Sequence, residues 1–261
     1  MGEEKRWALI TGASSGIGTE LARVFAERGY SLLLTARREE RLTALAAELR
    51  AKHGIAPETL VFDLEDPAAT QALFAAVEAK GIALHTLVNN AGFGLRGRFA
   101  ELPYDQQVAM VELNVSVPLK LSRLFLPGMI ERRQGGILNV ASTAAFQAGP
   151  KMAVYYATKA FVLSLSEALH EEVRRHGLAV TALCPGPVPT EFPERASLQM
   201  TRLVKMRFMT LSAEEVARQG VAGYERGKAI VIPGVVNKLG AWGAQIGPRA
   251  AARAIAGKLQ G

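Results

Sequence analysis

Short, almost uninterrupted apolar runs alternate along this chain with longer segments in which apolar residues recur every three or four positions. The runs predict strands over 7–11, 31–36, 59–63, 86–89, 136–142, 179–184 and 229–232. A strand that is apolar at nearly every position is one covered on both faces, as inside a parallel sheet. The segments between them predict helices, among them 17–28, 39–53, 67–79 and 152–175. In the first, Leu21, Val24 and Phe25 share one helical face. Strands alternating with helices require parallel pairing through right-handed crossovers. The predicted fold is therefore α/β, a doubly wound Rossmann-type parallel sheet of about seven strands with helices on both faces. Its ligand crevice should lie beyond the carboxyl ends of the strands.

Length and composition narrow the setting. With 261 residues, 49% of them hydrophobic, the chain suits a single catalytic domain over 1–261. One irregular stretch, 187–210, holds Pro187, Pro189 and Pro193 and reads as a substrate loop or lid. A C-terminal extension, 233–261, mixes Val235, Val236, Leu239, Trp242 and Ile246 with Lys238, Arg249, Arg253 and Lys258. Lying on a membrane surface, covering the cleft and packing in an oligomer are all open to it, and packing is favoured. The one cysteine, Cys184, excludes an intrachain disulfide and reads as a buried strand residue. With only four scattered histidines beside it, no metal-ligand cluster is visible and no metal is expected. No leader-like apolar start and no membrane-spanning run is present, so a cytoplasmic enzyme is expected. The net charge is +7, yet bases interleave with acids, as in Arg37-Arg38-Glu39-Glu40-Arg41. That pattern reads as solvated helix faces, and no nucleic-acid partner is expected.

The first strand meets the first helix through Thr11-Gly12-Ala13-Ser14-Ser15-Gly16-Ile17-Gly18. Glycines at 12, 16 and 18 let the backbone turn tightly and let a pyrophosphate approach the helix N-terminus, whose free N–H groups favour an anion. Ser14 and Ser15 add hydroxyl donors. The second strand runs into Arg37, followed by Arg38 and Arg41, where an acid would accept bonds from a ribose 2′-hydroxyl. A guanidinium there suits a 2′-phosphate, so NADP(H) is expected in preference to NAD(H). The competing reading is that these arginines open a charged surface helix.

Tyr155 and Lys159 stand four apart, a turn apart on one helix face. A tyrosine titrates near ~10 in isolation, and a neighbouring ammonium would favour its phenolate. Tyr156, lacking that spacing, reads as packing. Ser142 ends the fifth predicted strand, at the sheet edge where its hydroxyl can meet a substrate oxygen. Asn114 interrupts an apolar segment, as a helix asparagine satisfied by backbone or as the mark of a main-chain distortion. Asn89-Asn90-Ala91-Gly92 and Pro185-Gly186-Pro187-Val188-Pro189-Thr190 follow strands at the same edge.

The Gly-x-x-x-Gly-x-Gly spacing, with Ser142, the Tyr155/Lys159 pair and these two turns, resembles the short-chain dehydrogenase/reductase family from about Trp7 to Ile232. The resemblance implies Tyr155 as acid/base, Lys159 as its partner and ribose contact, Ser142 as oxyanion orienter and Asn114 as proton-relay residue. It implies that Asp63, with Leu64, contacts the adenine ring. Asn90, Ala91 and Gly92 would close on cofactor ribose and nicotinamide, Pro185, Gly186 and Val188 would line the nicotinamide pocket, and Thr190 would hold the carboxamide. It also implies a homodimer or homotetramer through the long helices.

The expected function is hydride transfer between NADP(H) and a carbonyl or secondary alcohol of a lipophilic substrate, a ketone, aldehyde or 3-oxoacyl thioester. Phe93, Phe146, Phe192, Met200, Met206 and Phe208 are the apolar residues pointing that way. Two other classes stay open: a non-catalytic NADP(H)-sensing protein, and an epimerase or lyase that retains its nicotinamide.

Overall fold

The computed structural model describes residues 5–189, 191, 210–246, 248, 250, 253 and 256–257. The first half runs β1 (Trp7–Thr11), α1 (Gly16–Glu27), β2 (Ser31–Ala36), α2 (Glu39–His53), β3 (Glu58–Val61), α3 (Ala69–Glu78) and β4 (Leu84–Asn89). Then follow α4 (Tyr104–Val111), a π-helical turn (Glu112–Ser116), α5 (Val117–Arg132), β5 (Gly136–Val140), a 3-10 turn (Thr143–Phe146) and α6 (Ala153–Arg174). The chain continues through β6 (Ala179–Leu183), α7 (Ala213–Glu225), β7 (Ile230–Val231) and α8 (Val235–Ile246).

All seven strands lie parallel in one sheet, in the order β3-β2-β1-β4-β5-β6-β7. Alternate strand residues leave on opposite sides, and both sides are covered. Leu9, Leu33, Leu87 and Ile137 join Leu73, Leu121, Phe125 and Val173 on the face under α3, α5 and α6. Ile10, Leu34, Val88 and Leu138 join Leu21, Phe25, Leu42 and Val216 on the face under α1, α2 and α7. That two-sided burial is why the strands read as apolar runs.

β1 pairs with β2 on one side and β4 on the other, Ile10 facing Leu34 and Val88. The connections diverge there, and a crevice opens at the carboxyl edge between β1 and β4. Beneath it a buried polar chain ties the centre together. Asn89 Nδ2 donates to Asn139 Oδ1 at 2.8 Å, and Asn139 Nδ2 to Ser166 Oγ at 2.9 Å.

Boundaries differ where neighbours run out. β5 ends at Val140 rather than 142, because Ser142 already caps the 3-10 turn through the Ala144 N–H. α3 starts at Ala69 rather than Pro67, because the Asp66 carboxylate takes the Ala68 N–H and its carbonyl the Ala69 N–H in a preceding turn. The apolar pattern singled out neither α4 nor α5; in α5 Pro118 sits in the first turn, where proline is tolerated, and Pro127 lies in the helix interior.

Candidate active site

The glycine turn is built by contact. Gly12 has φ +66°, and a methyl there would meet Ala91 Cα at 2.9 Å. At Gly18 a methyl would collide with the Gly12 carbonyl. Thr11 Oγ1 accepts the Asn90 and Ala91 N–H groups at 2.9 and 3.0 Å, and Asn90 Nδ2 donates to the Thr11 and Gly12 carbonyls. The turn after β1 and the turn after β4 are thereby one unit. Gly16 opens α1, whose N-cap Ser15 makes no side-chain cap and whose first turn carries no acid, while Ile17 packs on the core. The N–H groups there are disposed toward an anion.

The arginines divide. Arg37 pairs with Glu65 at 2.9 Å and Asp63 at 3.5 Å, and Asp63 also accepts the Glu65 N–H. Arg38 instead reaches the glycine turn, donating to Ser14 Oγ at 3.2 Å. Arg38 also pairs with Glu191 at 2.9 Å, and Arg41 binds the same carboxylate. Those two guanidiniums, Arg41 foremost, hold the Glu191 carboxyl below its ordinary range. The sequence reading placed Arg37 at the 2′-phosphate; the structure brings Arg38 to Ser14. Adjacency to Arg37 was the signal available for Arg38 and Arg41, and Glu191 had none. Leu64 is buried in the core beside the Asp63 turn.

The catalytic candidates meet at the carboxyl edge of β5. Tyr155 and Lys159 are both buried at the start of α6. The Ser142 side chain lies on the Tyr155 hydroxyl side and favours its phenolate. Ser142 Oγ lies 3.5 Å from the Pro185 carbonyl, which also accepts the Thr143 N–H at 2.9 Å. Lys159 Nζ donates to the Val140 carbonyl at 2.7 Å and stands 5.9 Å from the Tyr155 ring centroid. Asn114 sits in the middle of the π-helical turn, a distortion of a kind that favours functional sites. Its side chain spans to Phe93 and donates to Thr158 Oγ1 at 3.2 Å; Thr158 Oγ1 in turn donates to the Tyr155 carbonyl at 2.7 Å. A methyl on Gly92 would meet Asn114 Oδ1 at 2.8 Å and Lys159 Nζ at 3.7 Å, so Gly92 closes the group.

Burial dominates the electrostatics. It holds the Lys159 ammonium down at about 8. It raises the Tyr155 phenol above its ordinary value, opposed by Ser142. The sequence argument had an ammonium pulling the phenol down; burial overrides it, and Ser142 is the group that lowers it. Burial also pushes the Cys184 thiol up to about 12, which leaves it inert. Tyr156 packs under Gly149 as a core residue. Val188 is buried, whereas Thr190 and residues 192–209, with most of the expected lid, lie outside the described residues.

A cradle that side chains would fill, an uncapped helix start and Arg38 against Ser14 fit a nicotinamide dinucleotide.

The comparisons agree with this geometry. The chain is 36% identical over 181 residues to a very-long-chain 3-oxoacyl-CoA reductase of Laccaria bicolor, covering 68% of this chain and 53% of that protein. The chain spans about half the length of the curated relatives it matches. A short-chain dehydrogenase from Sphingobium yanoikuyae in complex with NADPH superposes with a TM-score of 0.82 at 34% identity, covering 88% of each chain. A short chain dehydrogenase/reductase from Burkholderia phymatum in complex with NAD superposes at 0.81 and 29%, covering 93% of this chain and 94% of that one. The short chain dehydrogenase family model matches residues 6–200. This chain belongs to the short-chain dehydrogenase/reductase family.

Proposed function

We propose that the chain reduces a lipophilic carbonyl, a ketone or a 3-oxoacyl thioester, with NADPH as hydride donor. The observation that carries this reading is the convergence of Ser142, buried Tyr155 and buried Lys159 at the edge of β5, with Lys159 Nζ fixed on the Val140 carbonyl. When bound, the nicotinamide supplies the hydride. Ser142 Oγ holds the carbonyl oxygen in place. Tyr155, kept protonated by burial, donates the proton that the nascent alkoxide requires. Lys159, fixed on the Val140 carbonyl, would contact the cofactor ribose, and Asn114 holds the backbone of Phe93.

The name of the Laccaria relative and the buried Phe93 and Met152 near the site support a lipophilic substrate. Arg38 and Arg41 support NADPH. Exposed Val108, Val111, Leu119 and Phe161 on α4, α5 and α6 support assembly through these helices. The test is NADPH and NADH oxidation against a panel of 3-oxoacyl thioesters, bulky ketones, small sugars and polyols. Turnover of the first two classes with NADPH is expected; turnover of polyols and sugars alone would overturn the substrate class.

A further inference from the structure

Helix α8 is held to the protein on one side. Asn237 and Ala241 are its buried residues, and Asn237 Nδ2 donates to the Pro233 carbonyl at 2.9 Å. The Asn237 amide lies over Gly186, where a methyl would meet its nitrogen at 2.7 Å. The helix also packs on the 3-10 turn that follows Ser142. It is thus fixed to the rim of the active site.

The other side carries Val235, Leu239, Trp242 and Ile246, exposed at 74%, 66%, 66% and 78%. At about 100° per residue these four fall within an arc of roughly 60° that faces away from Asn237 and Ala241. Val236 widens the stripe. Gly240 and Gly243 interrupt the helix, where glycine is less favourable than alanine. A helix with weak intrinsic propensity and a water-facing apolar stripe gains by being covered.

Charge identifies the cover. Residues 233–261 contain Lys238, Arg249, Arg253 and Lys258 and no Asp or Glu, so they contribute +4 of the chain's net +7. Lys238 and Arg253 are exposed. Two copies meeting through this stripe would bring like charges together. An anionic bilayer instead matches both features, taking the indole and aliphatic groups into its headgroup boundary and the bases onto its phosphates. Twelve residues of helix extend about 18 Å, short of the roughly 30 Å hydrocarbon layer, so α8 would lie in the surface plane. Among the described residues no helix is long and apolar enough to cross a membrane.

We propose that α8 docks this protein peripherally on an anionic lipid surface, which brings the Ser142 rim of the cleft to the lipid. The experiment is flotation of the full chain with vesicles of phosphatidylcholine alone or of equimolar phosphatidylglycerol and phosphatidylcholine. The wild type should float with the anionic vesicles, weakly with the neutral ones, and less at high salt. Leu239→Glu with Trp242→Glu, both at exposed positions, should abolish flotation while circular dichroism stays unchanged. Lys238→Glu with Arg253→Glu should remove the preference for anionic lipid. Wild type left behind by both vesicles would overturn the proposal, as would flotation unaffected by either double variant. So would light scattering that shows an oligomer split by the Leu239/Trp242 variant, which would assign the stripe to a second copy.

Discussion

Asn114 and Phe93 exchange two hydrogen bonds: the Phe93 N–H donates to Asn114 Oδ1 at 3.1 Å, and Asn114 Nδ2 donates to the Phe93 carbonyl at 2.8 Å. One side chain thereby satisfies the backbone of the β4 exit and fixes it against the π-helical turn, beside Lys159. Asn114→Leu removes both bonds to the Phe93 backbone, at about 0.5–1.5 kcal/mol each. Chemical denaturation should show that loss, and kcat should fall while KM for the cofactor holds. Unchanged kcat in a folded variant would reduce Asn114 to a packing residue.

The cofactor choice turns on Arg38. Arg38→Ala should weaken NADPH by roughly 1.5–3 kcal/mol, as for a charged hydrogen bond, and leave NADH nearly untouched. Arg37→Ala should cost less, because that guanidinium is turned to Glu65 and Asp63, whereas Arg38 reaches Ser14 of the glycine turn. Titration calorimetry with both cofactors separates the two, and the opposite ranking would return the 2′-phosphate site to Arg37.

Glu191 occupies Arg38 and Arg41 and so competes with any other anion for them. Glu191→Gln should tighten NADPH roughly two- to fivefold, the range for releasing an exposed ion pair of about 0.5–1 kcal/mol. NADH affinity should stay level. Equal shifts for both cofactors would count against the competition.

Lys159 makes stability depend on pH in a definite direction. Its folded value of about 8 lies below the ordinary 10.5, so between these pH values the unfolded chain holds a proton that the folded chain has released. This group therefore stabilises the fold as pH rises through that window, and the contribution is lost as pH falls through about 8. Lys159→Met should raise the unfolding free energy of the cofactor-free protein at pH ~7 relative to its effect at pH ~10.5, with a ceiling on the order of 3 kcal/mol. The lost bond to the Val140 carbonyl reduces that figure. A mutational effect equal at both pH values would contradict the buried charge.

What the sequence made legible was local. The Gly12–Gly18 turn, the Tyr155/Lys159 spacing and the two-sided strands are written within one or two adjacent elements, and the structure places them as read. α5 carries Pro127 in its interior, where a proline is tolerated only through tertiary support that no local pattern announces. The choice between Arg37 and Arg38 depends on Asp63 and Glu65 after β3, and Glu191 meets Arg38 from 153 residues away. Nothing near residue 155 announces how deeply Tyr155 is buried, so the direction of its pKa emerged only from the fold.

Tyr155→Phe is the most direct test, because it removes the hydroxyl beside Ser142 and keeps the ring that packs beside Tyr156. NADPH binding and single-turnover oxidation should be measured together, on a 3-oxoacyl thioester or bulky ketone that the wild type reduces. NADPH affinity should stay unchanged while the rate falls by about 10²–10⁴, the worth of a positioned proton donor. A variant that binds NADPH and still reduces the substrate at the wild-type rate would contradict it.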